Sequence, residues 1–190
     1  MDFSITIEGT APLLMHNARL ANPLDPAAKA LKRLTGKRNK TDSEYEELAR
    51  TEHAGSLYLD PDVGPYLPGD NIWRCLFDAA KKHKRGKLVE QGVFIATTVN
   101  PLSYQGPRDA AGLWADENFR HMASVKVGTS RTMRCRPAFR AWKTQATGVL
   151  DENVLNLEEL TQVANTAGEL IGLGDWRPRY GRFVATVEKV

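Results

Sequence analysis

Only two cysteines occur in the chain, Cys75 and Cys135. That is too few for a disulfide scaffold or a cysteine-based zinc cluster, so both are read as reduced packing residues. No apolar run approaches the roughly 20 residues that cross a bilayer. Residues 1–10 also lack the basic-then-apolar pattern of a secretory signal, so no membrane partner and a cytoplasmic location are expected. No P-loop and no Ser-His-Asp order is legible, and His16, His53, His83 and His121 show no ligand spacing. The pairs Asp60 with Asp62 and Asp116 with Glu117 have oxygen ligands suited to magnesium, but Asp60-Pro61-Asp62 beside Gly64 reads more simply as a turn. Metals and nucleotide cofactors are therefore not expected. The composition, 42% hydrophobic and 26% charged, excludes dominant disorder, and 190 residues suit a single domain with embellishments.

Carboxylates are also missing in particular places. The net charge is only +3, yet between Glu117 and Asp151 there is no acid at all, while Arg120, Lys126, Arg131, Arg134, Arg136, Arg140 and Lys143 fall in that interval. Three further acid-free runs carry Lys29 to Lys40, Lys81 to Lys87, and Arg177, Arg179 and Arg182. One such run by itself is a solvated face. Four of them lining one groove make a polyanion site.

The hydrophobic pattern gives the fold class, α+β. Residues 2–8 alternate, with Phe3, Ile5 and Ile7 on one side, as in a half-buried strand. Periodicity then lapses, and residues 17–66 read as a loop-rich, thumb-like insertion. It holds one helix, opened by the capping-box pair Thr41 and Glu44, and a short strand near 56–59. Ile72, Cys75, Leu76, Ala79 and Ala80 recur at helical spacing behind Pro68-Gly69-Asp70, with Asp70 as the expected cap and Gly86 as a breaker. Residues 92–99 suit a strand. Residues 123–127 and 141–149 suit the two arms of a basic hairpin, Asn156 and Glu159 start a second helix, and Phe183, Ala185 and Val187 alternate in a last strand. With the insertion removed, the order is strand, helix, strand, strand, helix, strand. That is the RRM-like or ferredoxin-like split βαβ core, a four-stranded antiparallel sheet with two helices on one face and the other face open.

The most distinctive stretch is Gly172-Leu173-Gly174-Asp175-Trp176-Arg177-Pro178-Arg179-Tyr180-Gly181-Arg182. A dinucleotide loop lies between a strand and the helix that follows, whereas this one follows a helix and precedes a strand, so the nucleotide-cofactor reading fails on order. What it offers is glycine backbone able to approach a polyanion, three guanidinium groups for phosphate oxygens, and two rings, Trp176 and Tyr180, for stacking. The plainer reading is a helix C-cap at Gly172 or Gly174, with Trp176 covering the core.

This loop, together with Tyr66-Leu67-Pro68-Gly69-Asp70-Asn71-Ile72 ahead of the first core helix, resembles the RAMP superfamily of CRISPR-associated proteins. Small phage-encoded relatives look similar. Asp70 and Asn71 stand where serines are commoner in that family. The resemblance implies an RRM-like fold and a subunit that coats single-stranded RNA or DNA, forms homo-oligomers or filaments along it, and meets other effector-complex subunits. On that reading Arg134, Arg136, Arg140, Arg177, Arg179 and Arg182 neutralise phosphates, joined by Lys126 and Arg131 of the basic hairpin. Trp176, Tyr180 or Phe139 stack bases, and Lys37 and Arg38 of the insertion touch the strand or a neighbouring copy. His16 and Asn17, just after the first strand, are further binding candidates.

Two other readings stand beside this non-catalytic one. The basic surfaces would equally suit an adaptor that meets acidic proteins or itself. RNA-cleaving RAMP proteins can place a catalytic histidine where His16 lies, which makes a metal-independent endoribonuclease the third reading.

Overall fold

In the computed structural model, which describes residues 1–190 with the side chain of Val127 excepted, the chain is a mixed α+β protein with antiparallel sheets. The first strand, β1 (Asp2–Gly9), buries Phe3, Ile5 and Ile7 completely and turns Thr6 and Glu8 outward, as the alternation requires. A short β2 (Leu13–Leu14) follows. The insertion then supplies two helices, α1 (Pro26–Thr35) and α2 (Asp42–Ser56), and the strands β3 (Leu59–Asp60) and β4 (Gly64–Pro68). The capping box of Thr41 and Glu44 forms as expected. α1 stands in a segment expected to be loop. Asp25 caps it and Pro26 opens it, and it was inconspicuous because it buries only Leu34.

Next come α3 (Gly69–Lys82), α4 (Gly86–Gly92), β5 (Val93–Ile95), β6 (Val99–Pro101) and α5 (Ala110–Ala115). α3 buries Ile72, Cys75, Leu76, Ala79 and Ala80, the stripe read from spacing, but its cap is Pro68 rather than Asp70. A long hairpin, β7 (Arg120–Val127) with β8 (Ser130–Phe139), leads to β9 (Lys143–Leu150), α6 (Leu157–Thr166), a π-helical turn at Ala167–Ile171, and β10 (Phe183–Lys189). The expected pairing of 123–127 with 141–149 is thereby corrected. β7 pairs with β8, and β9 pairs with β1.

The main sheet has the order β10-β1-β9-β5, and every neighbouring pair is antiparallel. α3 and α6 pack on its inner face, over a core that includes Phe3, Ile5, Ile7, Leu76, Ala146, Leu160 and Phe183. Its outer face is open, exposing Glu8, Gln145, Thr147, Thr186 and Glu188, with Phe94 at the β5 edge. That face mixes acids with hydroxyl and amide groups and carries few cations, so it is poorly suited to a phosphate backbone. The cations lie elsewhere.

Both cysteines are buried, with burial pushing their thiols up to about 12 for Cys75 and about 11 for Cys135, so they behave as packing groups. No helix is long and apolar enough to cross a membrane.

His53 is completely buried against Trp114, with Nε2 donating to the Phe119 carbonyl at 3.0 Å, and burial lowers its pKa from the usual 6.5. The folded chain thus resists protonation that the unfolded chain accepts. Stability is complete above pH 6.5 and is lost as pH falls from there toward the lowered folded value. The midpoint of urea unfolding is expected to drop across that window, and to drop less in His53→Gln, which keeps an N–H donor but cannot titrate.

Candidate nucleic-acid interface

The glycine-rich loop is held to the body by backbone contacts. Asp175 N–H donates to the Leu14 carbonyl at 2.7 Å and Gly181 N–H to the Pro12 carbonyl at 2.8 Å. Gly174 and Gly181 have φ of +79° and +71°, and a Cβ at these positions would lie 2.2 Å from the Leu14 oxygen and 1.7 Å from the Leu173 oxygen. These glycines therefore serve the close approach of the chain to itself, and Gly172 caps the preceding helical turn at φ +78°. The expectation that they exist to approach a polyanion is revised accordingly. Their consequence is nonetheless useful, because the clamped backbone leaves Arg177, Pro178 and Arg179 exposed between the half-buried Trp176 and Tyr180.

Trp176 takes a left-handed backbone conformation, φ 55°, uncommon for a bulky residue, with its N–H bonded to its neighbour's carboxylate, Asp175 Oδ1, at 3.0 Å. Its ring meets His121 of β7 edge to face at 5.4 Å, and Tyr180 meets the same imidazole at 5.2 Å. The His121 pKa is lowered by burial and then by Arg140 and Arg179, so the ring is neutral at pH 7 and packs as an aromatic. Loop and β7–β8 hairpin are thus joined. Arg177, Arg179 and Arg182 are exposed around this junction, Arg179 lies over the Tyr180 ring at 5.8 Å, and Arg182 donates to the Pro178 carbonyl.

The hairpin divides its cations between two roles. Near its tip Lys126 faces Arg131 directly across the strands, and both are exposed. Like charges placed opposite each other are destabilising unless an anion bridges them. Exposed Met122 and Met133 lie on the same face of the hairpin, an apolar surface between the cations and the body. Nearer the base the arginines turn inward. Arg136 is only 8% exposed and Glu52 of α2 only 4%. Glu52 accepts from Arg136 Nη1 at 2.8 Å, from Arg134 Nη1 at 3.2 Å and from the Cys135 N–H at 2.8 Å. Arg136 Nε donates to Asp175 at 2.9 Å. Burial works against the Arg136 charge, but the bonds to Asp175 and Glu52 outweigh it and raise its pKa. Arg136 therefore leaves the set of phosphate contacts, because both ends of its guanidinium are occupied by carboxylates. Arg134 is half removed from it.

Other candidates sort the same way. Phe139 is completely buried against Tyr104 and Phe119, so it stacks in the core and not on bases. Asn17 donates to the Leu57 carbonyl at 2.9 Å and caps the turn at Ala18–Ala21, so its side chain serves the local fold. Lys37 pairs with Glu44, while Arg38 beside it is exposed. α2 sets Glu52 against Cys135 on β8 and Tyr45 beside Arg120 and Met122 on β7, so it crosses the base of the hairpin, and Lys37 and Arg38 lie beyond its N-terminal end. Asp60 accepts from the N–H groups of Asp62 and Val63, the turn chemistry expected there.

His16 lines a cleft of about 190 Å³ with Tyr58, Asn71, Arg74, Asp175 and Arg177. Partial burial and then Arg136 lower its pKa, against the opposing pull of Asp175 and Glu52, so it is neutral at pH 7. On the other side of the loop, Lys81 and Lys82 line an open groove with Trp176, Arg177 and Leu170. Lys81, Lys82, Arg74 and the two methionines were missing from the sequence-derived site. The lysines were signalled by the third acid-free run, whereas no local signal marked Arg74, Met122 or Met133. Three of the four basic runs therefore border the glycine-rich loop or are packed against it, and the fourth, from Lys29 to Lys40, lies in the insertion, where Lys37 pairs with Glu44.

No protein-family model matches the chain, and no curated protein matches it.

Proposed function

We propose that this chain is a non-catalytic binding protein for single-stranded RNA or DNA, with an RRM-like core of the RAMP type, which polymerises along the strand as a backbone subunit. In the main sheet the last, first, third and second core strands lie side by side with both helices on one face. That order supports a split βαβ core with residues 17–66 inserted after the first strand. The β7–β8 hairpin is then an insertion between the second and third core strands. The observation that carries the reading is the junction at His121. There the ring-bearing, arginine-rich loop and the acid-free hairpin meet, with Arg140, Arg177 and Arg179 left without carboxylate partners among the described residues, while the exposed Lys126–Arg131 pair lies farther out, toward the hairpin tip and on the other face of the ribbon.

Such a surface grips phosphates and stacks bases in any order, so its affinity is largely sequence-independent and salt-sensitive. His16 belongs to it as a binding contact beside Arg177. The test is fluorescence anisotropy of a labelled single-stranded oligonucleotide titrated with the protein at several salt concentrations. A linear fall of log affinity with log salt, about 0.7 per phosphate engaged, is expected. Absent binding, or affinity indifferent to salt, removes the proposal.

A further inference from the structure

At the foot of the hairpin lies a second concavity of about 670 Å³, within the usual ligand-site range of about 300–1,000 Å³. Its floor is aromatic. Trp142 packs so tightly under Gly9 that a Cβ on Gly9 would sit 2.1 Å from the indole nitrogen, and Tyr104 and Phe119 meet edge to face beside it. Arg140, exposed where β8 ends, lines the concavity and supplies its cation next to the hairpin base.

The wall is polar and under-used. Among the described residues no hydrogen bond engages the Gln105 carboxamide, which is exposed. Asp116 accepts the backbone N–H and the side-chain amide of Asn118, both through Oδ1, which leaves Oδ2 free. The Asn118 carboxamide oxygen is free too. Glu8 adds a second carboxylate, 3.9 Å from the Lys143 ammonium, which lines the concavity as well. The combination of a cationic rim, an apolar floor and a wall of carboxylate and amide acceptors fits a base turned out of the strand while its phosphate stays with Arg140.

We infer that this concavity reads one extruded nucleobase carrying an exocyclic amino group, so that the bound strand is not wholly sequence-neutral. The inference rests on the nucleic-acid reading of the neighbouring surface. Adenine, cytosine and guanine can donate amino hydrogens to Asp116 Oδ2, whereas uracil and thymine carry a carbonyl oxygen at the amino position and have only the ring N3–H to offer the carboxylate, so the base seated with that position against Asp116 is the amino-bearing one. Cytosine and uracil are the cleanest comparison, because both are pyrimidines of equal size that differ at the amino position.

The experiment is a pair of anisotropy titrations of the full chain with labelled oligocytidine and oligouridine of equal length. Oligocytidine should bind more tightly by roughly tenfold, the lower end of what a good pair of hydrogen bonds to a base edge discriminates. Gln105→Ala should shrink that ratio without weakening oligouridine. Asp116→Asn keeps Oδ1 for the Asn118 N–H and replaces the free oxygen by an amide donor, so the preference should move toward uridine. Equal affinity of the wild type for both oligomers, or a ratio unchanged in both variants, overturns the pocket while leaving the phosphate interface intact. Failure to bind either oligomer overturns the interface itself, and the pocket with it.

Discussion

Glu52→Ala is expected to lower the free energy of unfolding by roughly 3–5 kcal/mol, the range for removing one partner of a buried charge pair. Among the described residues Glu52 is the only carboxylate that Arg134 contacts and one of two that hold Arg136, and it also takes the Cys135 N–H at the open edge of β8. Without it the side chain of Arg136, a residue 8% exposed, keeps Asp175 as its one carboxylate partner besides a long bond to the Cys135 carbonyl, and a buried backbone donor loses its acceptor. Replacing both members by apolar residues of similar volume, Glu52→Leu with Arg136→Met, should restore part of the loss, because the desolvation penalty of both charges disappears together, while the Cys135 N–H stays without its acceptor and Asp175 without its guanidinium. Arg134→Ala should cost about 1 kcal/mol or less, since its side chain is 30% exposed and solvent screens its pairing. Urea unfolding of the four proteins reads all of this. If Glu52→Ala is as stable as the wild type, the network does not tie α2 to the hairpin and loop.

The second large effect is on binding. Replacing Lys126, Arg131, Arg177 and Arg179 by alanine together should leave stability nearly unchanged, because all four are exposed and none is in a salt bridge among the described residues. Each phosphate of a single strand that goes unneutralised lowers the salt slope by about 0.7, so four of them remove about 3 from the slope and several hundredfold from the affinity near 0.1 M salt. Relief of the Lys126–Arg131 opposition should leave the hairpin slightly more stable in the absence of ligand. Including Arg134 or Arg136 in such a variant would mix loss of binding with loss of fold. A variant with wild-type affinity and slope would show that the strand lies on another surface.

Those arginines show where sequence reasoning stops. Arg131 and Arg136 come from the same acid-free run and carry the same local signal, yet one points to solvent and the other is locked to a carboxylate 84 positions away in the chain. An acid-free interval excludes local partners only, and the fold brought in a distant one. Strand β8 was illegible for a related reason. Its residues near the tip are exposed on both faces and those near the base are buried on both, so the period-two pattern that marks a strand never forms. By contrast β1, α3 and α6 each have one buried and one open face, and their periodicity was plain. The strand at β9 was legible, but its partner was not, because β1 lies at the far end of the sequence. The meeting of glycine-rich loop and hairpin was foreseeable as chemistry. The role of the glycines was not, since only the packing of Gly174 on Leu14 and of Gly181 on Leu173 reveals that the loop is clamped to its own body.

A density map of the protein bound to a short single-stranded oligonucleotide tests the central claim most directly. Phosphates should lie within hydrogen-bonding distance of Arg177 and Arg179, with the strand passing the junction of hairpin and loop beside Trp176 and Tyr180. A strand running instead across the open face of the main sheet, over Thr147 and Thr186, would contradict it.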